Sequence, residues 1–138
     1  MKIRNLVVVV TILLAPVMVS AQKDYKVVFD LTTADTNTHH AVIRWIREIL
    51  GSEPTAKIEV VMYAQSLPFV TKNRSIEEEA VKKYAAMSNV KFEVCAIAMV
   101  NNKVDKADLL PGVEIVPDGI YEIISKQRQG WGYIKASR

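Results

Sequence analysis

The chain has 138 residues, half of them hydrophobic and 24% charged, with a formal net charge of +3. That length and balance describe one ordinary globular domain and exclude a disordered polyelectrolyte or a low-complexity fibre. A single cysteine excludes an internal disulfide framework and any zinc ribbon, and five glycines with five prolines exclude a collagen-like chain.

Met1 to Ala21 reads MKIRNLVVVVTILLAPVMVSA. Lys2 and Arg4 precede an apolar run from Leu6 to Leu14, Pro16 breaks it, and Val19-Ser20-Ala21 offers the small residues a signal peptidase reads. This layout predicts a signal peptide over 1–21 and one mature domain over 22–138. The competing reading is an uncleaved anchor. Leu6 to Ala21 supplies only 16 residues, however, against the ~20 needed to span a bilayer, and no stop-transfer cluster follows. Export through this signal predicts a periplasmic protein that is free of the membrane once cleaved. Loss of Lys2 and Arg4 leaves 16 basic residues against 15 acidic ones, a net charge of +1 on 117 residues. The bases are scattered among acids, as in Lys82-Lys83 after Glu77-Glu78-Glu79, so nucleic-acid binding is not expected.

Along the mature chain, YKVVFDLT (Tyr25 to Thr32) reads as a buried strand. His39 to Leu50 follows with Val42, Trp45, Ile46, Ile49 and Leu50 at helical spacing. Asp35, Thr36 and Thr38 are candidate N-caps, and Gly51 is placed to end the helix. A second strand, KIEVVMY (Lys57 to Tyr63), leads through a proline-containing loop to Ser75-Ile76-Glu77-Glu78, which has the spacing of a capping box. The helix it opens is expected to reach Met87 and to bury Ala80, Val81, Tyr84 and Ala85. Val90 to Ile97 (VKFEVCAI) is the third strand and Val113 to Val116 the fourth. Asp118 then caps a helix with Ile120, Ile123 and Ile124 inward, closed by Gly130, before an edge strand over Gly132 to Lys135. Strands alternating with helices predict an α/β fold, a three-layer α/β/α sandwich around a mainly parallel sheet of about five strands.

In such a sheet, sites form beyond the carboxyl ends of the strands, here the loops after Thr32, Tyr63 and Ile97. LTTADTNTHH after the first strand contains no dinucleotide fingerprint or phosphate loop, and no nucleophile elbow occurs anywhere. His39 and His40 are adjacent, so on a helix they diverge by about 100° and cannot grip one ion together. They read as a solvated helix start rather than as a metal or acid–base site. Asp30 is placed either to line a site or to bind a neighbouring loop. Cys95 is either a small buried hydrophobe or, being near a strand's carboxyl end, a nucleophile. A helix starting soon after it would present free amides that favour the thiolate. Trp45, Trp131 and Tyr133 read as core or subunit contacts, with Trp131 beside two glycines the best placed to meet another copy.

The run VCAIAMVNNKV around Cys95 resembles the cysteine segment of the DsrE/DsrF-like sulfur-relay family. The tail ADLLPGVEIVPDGIYEIISKQRQGWGYIK and the start VVFDLTTAD resemble an exported DsrE-like subgroup, so the similarity covers nearly all of the mature chain. It implies the fold derived above, protomers packed as trimers or hexamers, and a Cys95 that accepts sulfane sulfur as a persulfide and hands it to a partner thiol. No cofactor or metal is implied; the partners are a thiol or persulfide protein or a small sulfur species. Asp30, Thr32, Thr33 and Asp35, with Asn101, Asn102 and Lys103, are the expected lining of the site. Where family members tend to be basic after the cysteine, this chain has Asn101 and Asn102 before Lys103. The alternative is a non-catalytic oligomeric module that binds a small ligand and uses Cys95 structurally.

Overall fold

The two periodicities of the sequence sort into two kinds of element. Apolar, β-branched runs form strands β1 (Lys26–Leu31), β2 (Lys57–Met62), β3 (Val90–Cys95), β4 (Glu114–Val116) and β5 (Gly132–Ala136). Between them lie helices α1 (Thr36–Ser52), α2 (Glu78–Ala85), α3 (Ala96–Asn102) and α4 (Gly119–Arg128), with 3₁₀ turns at Leu67–Val70 and Lys106–Asp108. The structure is a computed structural model and describes residues 24–137; the expected signal peptide, 1–21, lies outside the described residues. Among the described residues no helix is long and apolar enough to cross a membrane.

The strands form one parallel sheet in the order β4-β3-β2-β1-β5. From β1 the chain steps outward to β4, packing α1, α2 and α3 on one face. It then returns across the opposite face through α4 and adds β5 beside β1. The first face holds most of the core: Phe29, Val60 and Phe92 from the strands meet Val42 and Ile46 of α1 and Val81 of α2. Trp45 stacks on Phe29 at 5.9 Å, and Phe69 meets Phe92 edge-on at 6.0 Å. Each such buried side chain contributes about 1.5–3 kcal/mol. The α4 face is poorer: among the described residues its apolar cluster has only Val28, Val61 and Ile123 buried, backed by Tyr63 and Trp131.

Local chemistry sets the boundaries, not always as the spacing predicts. Asp35 is the N-cap of α1, accepting from Thr38 N at 2.8 Å. Gly51 does not end that helix, which continues through Ser52. The stop is Pro54, which bars helical geometry at Glu53 before it. The Ser75–Glu78 capping box does not form either. Ser75 Oγ donates to Phe69 O at 2.6 Å and accepts from Glu77 N, so α2 begins only at Glu78 and ends at Ala85, short of Met87. Within α2, Val81 and Tyr84 are buried, and Ala80 and Ala85 are half-buried. In α4 only Ile123 of the three isoleucines is buried. Ile120 is 59% and Ile124 43% exposed, because among the described residues no other helix lies beside α4 on its face. Asp118 and Gly130 start and end α4 as expected, the latter with φ +81°.

His39 corrects the expectation of a solvated pair. It is buried, packs on Phe69 with ring centres 4.8 Å apart, and donates Nε2–H to Thr33 O at 2.9 Å. Burial lowers its pKa below the ordinary histidine value, which favours the neutral ring. His40 points outward to Glu77.

Leu110-Pro111-Gly112-Val113 turns the chain into β4, closed by Val113 N donating to Leu110 O at 3.3 Å. Gly112 sits at φ +83°, and a methyl group there would lie 2.9 Å from Ala85 Cβ and 3.1 Å from Ala85 O. Strain and overlap act together, so Gly112→Ala should cost about 2–4 kcal/mol. The check is a lowered urea midpoint at unchanged m-value; an unaltered midpoint would show that the turn relaxes freely.

Candidate functional site around Cys95

The site begins with a change of backbone geometry. β3 ends at Cys95, two residues before the predicted end of the strand, and α3 opens at once, with Cys95 as its N-cap. The residue is 5% exposed and is the one cysteine in the chain. It lines a cavity of about 320 Å³ with Tyr63, Ala64 and Gln65 after β2, Ile97, Ala98, Asn101 and Asn102 of α3, and Asp118 and Ile120 at the start of α4. Three loops at the carboxyl ends of the strands thus meet at one thiol.

Two residues hold this enclosure together. Asn102 Nδ2 donates to Ala64 O and Ala98 O, both at 2.8 Å, tying α3 to the loop after β2. Gly119 lets α4 start directly on the cysteine. A side chain there would place its Cβ 3.2 Å from both Cys95 Cβ and Val61 Cγ1. Asp118 does not present a free carboxylate, since its Oδ1 accepts from Ile120 N at 2.9 Å and Tyr121 N at 3.3 Å. Among the described residues no lysine, arginine or histidine lines the cavity, while the exposed Ile97 and Ile120 give it an apolar rim.

The sequence profile of the DsrE/DsrF-like family matches residues 17–136, which includes every element of the sheet. The chain belongs to the DsrE/DsrF-like family. A comparison with curated proteins found no match. Among solved structures, the chain is similar to MTH1491 from Methanobacterium thermoautotrophicum, a protein of unknown function. They are 28% identical, with a TM-score of 0.76, over 81% of this chain and 99% of that one. It shares its fold with the ychN protein from E. coli (12% identity, TM-score 0.67, covering 81% and 98%). BT1422 from Bacteroides thetaiotaomicron is likewise similar in fold (14%, 0.66, 80% and 93%).

On this DsrE-like fold the predicted site residues separate into groups. Asn101 and Asn102 share the cavity of Cys95. Lys103 does not: it ends α3 in the left-handed conformation, φ 53°, and lines a different hollow with Val100 and Ile115. Thr33 and Asp35 serve the start of α1, through Asp35 N donating to Thr33 Oγ1 and the cap to Thr38. Asp30 lines an adjoining cavity of about 250 Å³ that shares Tyr63 and Ile120 with that of Cys95. It is buried, accepts from Tyr133 Oη at 2.6 Å, and pairs with Lys135 at 3.0 Å; Lys135 also donates to Thr32. The Asp30 hydrogen bond, then burial, pushes the Tyr133 phenol up to about 12; burial, then Asp30, does the same to Tyr63.

Several lining residues escape a reading of the sequence. Tyr63 and Gln65 lie in a loop that the strand-end rule does select, but Gly119 reads only as part of a helix start until the topology sets α4 beside β3. A wider hollow, about 650 Å³ along the outer side of α1, is lined by His40, Arg44, Arg47 and Glu77 and lies apart from Cys95. Glu59, Glu93 and Glu122 are the one group of three ligand-type side chains among the described residues, but the Lys126 ammonium already stands against Glu59 and Glu122. That cation takes the place a metal would need.

The Asp30 cluster yields a stability prediction. Tyr133→Phe should cost about 1 kcal/mol, since Lys135 still answers the carboxylate, and Lys135→Met about 2 kcal/mol, because the buried charge loses its counter-ion. Urea unfolding of both variants checks the order; a costlier Tyr133→Phe would reverse the assignment of Lys135 as the main partner.

Proposed function

We propose that this protein is an exported sulfur carrier in which Cys95 takes up one sulfane sulfur as a persulfide and passes it to a partner thiol. The observation that carries the reading is the position of the thiol, at the carboxyl end of β3 in a cavity built from three loops. Membership in a family of sulfur-relay type agrees with it. In the first step the Cys95 thiolate attacks the terminal sulfur of a donor persulfide; the new S–S bond forms as the donor's S–S bond breaks and its thiolate departs. In the second, an acceptor thiolate attacks the outer sulfur and Cys95 leaves as thiolate. Each step exchanges one S–S bond for another, so no external oxidant or cofactor is consumed.

The chain's own groups assist by shape and not by charge. Gly119 lets α4 pack on the thiol, Asn102 ties α3 to the loop after β2, and the apolar rim at Ile97 and Ile120 suits a neutral or protein-borne sulfur donor better than a free anion. A second reading, a ligand-binding module with a structural cysteine, is favoured by the low exposure of Cys95 and by the absence of a basic side chain beside it. As a trimer or hexamer, the chain would use the half-buried Trp131 at the β5 edge as one contact between copies.

The test is to treat the folded protein with polysulfide, or with thiosulfate plus a sulfurtransferase, and weigh the Cys95 peptide. Addition of sulfur to wild type and none to Cys95→Ser supports the carrier. A thiol that stays unmodified in folded protein, but reacts once unfolded, overturns it in favour of the binding module. Export predicts in addition that the protein recovered from a periplasmic extract begins at Gln22; recovery only with the cytoplasm and with Met1 intact would remove that part of the proposal.

A further inference from the structure

The sheet beneath α4 carries charges that an interior face rarely holds. Glu59 on β2 is fully buried and Glu93 on β3 is 4% exposed. With Glu122 of α4 they form a trio whose carboxyl oxygens lie within 4.8 Å of one another. One ammonium enters from the helix side: Lys126 Nζ stands 2.6 Å from Glu59 and 3.3 Å from Glu122. From the strand side Lys91 comes only to 4.0 Å of Glu93, drawn off by Glu114 of β4 at 3.1 Å. Glu59 Oε1 and Glu93 Oε2 meet no hydrogen-bond donor among the described residues. Three carboxylates against one half-buried ammonium leave an excess of negative charge, which falls on the two acids that are out of solvent, Glu59 and Glu93. Adjacent buried acids relieve such an excess by sharing a proton.

We propose that Glu93 keeps a proton directed at Glu59, and that this shared proton is a pH-sensitive lock holding α4 on the sheet and thereby closing one wall of the Cys95 cavity. The lever is α4 itself. Its first residues carry the cavity wall at Ile120 and the contact of Gly119 with Cys95, Ile123 is its buried apolar anchor, and Glu122 and Lys126 tie its later turns to Glu59. The lock concerns access to the thiol and stands whether or not Cys95 carries sulfur.

Burial, followed by the Glu59 carboxyl beside it, pushes the Glu93 carboxyl up from 4.5 to about 8. The charged groups that face it are Glu59 from β2, Lys91 on its own strand, Glu114 from β4, and Glu122 and Lys126 from α4. The seated state therefore binds a proton that a lifted state, with Glu93 in water, releases. Its advantage is complete below about pH 4.5 and is lost as pH rises through about 8, the lifted population growing about tenfold per pH unit between those values.

Two measurements on the purified protein decide the matter. With glutamate side-chain carboxyls labelled with ¹³C, one resonance should titrate near pH 8 in wild type, vanish in Glu93→Gln, and move to lower pH in Glu59→Gln. Amide exchange over 119–128, taken for wild type and Glu93→Gln at each pH so that the intrinsic dependence cancels, should show a ratio that climbs by up to about tenfold per pH unit and flattens above pH 8. A protein in which no glutamate titrates above about pH 6.5, or an exchange ratio flat with pH, overturns the lock. Should Glu93→Gln fail to fold, the exchange over 119–128 is compared between wild type and Glu59→Gln instead, and a ratio that does not change with pH overturns the lock.

Discussion

Among the described residues a single helix covers one whole face of a five-stranded sheet, and most of what distinguishes this protein follows from that constraint. Because β1 to β4 are laid down in one direction, right-handed crossovers commit α1, α2 and α3 to the same side. Only the return to β5 crosses the other side, and it brings ten helical residues, Gly119–Arg128. A helix that short cannot bury every inward side chain of five strands. The first face is accordingly apolar throughout, whereas the second carries Asp30, Glu59 and Glu93 among few buried hydrophobes. Two of these acids take a cation from a neighbouring element, Lys135 for Asp30 and Lys126 for Glu59, while Glu93 has only the more distant Lys91 of its own strand.

The same constraint shapes the surroundings of the cysteine. Cys95 is two residues along β3 from Glu93, and strand periodicity places both on one face of the sheet. The start of α4 therefore comes down beside the thiol. Glycine at 119 is what permits the approach, since a Cβ would press on Cys95 and Val61 together. The cavity that results holds amides from Asn101, Asn102 and Gln65 and an apolar rim, its one carboxylate, Asp118, being turned to the start of α4, in contrast to the charged floor further along the helix. Thiol–disulfide exchange within such a pocket depends on access and on which sulfur faces the nucleophile rather than on attraction by a basic side chain.

Much of the architecture was legible because it rests on local signals. The apolar runs, the Asp35 and Asp118 caps, and Gly130 all act within a few residues of sequence, and they fall where pattern and capping chemistry place them. The misreadings arise where tertiary contacts outweigh a local motif. Ser75 has the spacing of a capping box, but its Oγ donates to Phe69 O in the preceding 3₁₀ turn and accepts from Glu77 N, so it does not cap Glu78. His39 is buried because Phe69 and the Thr33 carbonyl receive it, neither of which lies on its own helix. Lys103 leaves the cysteine's surroundings because the chain reverses at that residue. Cys95 and the asparagines were legible by position, while Gly119 and the acidic trio were not, since they are brought together only by the crossing of α4. Acids within the otherwise apolar strands KVVFDL, KIEVVM and VKFEVC were the sequence signal that this face differs from the other.

Buried ion pairs seldom add much net stability, because desolvation offsets most of the attraction, but they penalise every arrangement that separates the partners. That asymmetry matters for α4. An apolar stripe such as Ile120-Ile123-Ile124 tolerates several seatings on a sheet, and here only Ile123 is deeply packed. The pairing of Lys126 with Glu59 is much less tolerant, since displacement by a turn strands a carboxylate that is fully buried. The seating that satisfies Glu59 is also the one that sets Gly119 against Cys95, so the charges at one end of the helix fix the geometry at the other. A polar interior is thus how a sheet with too little helix to cover it still presents its cysteine in one defined setting.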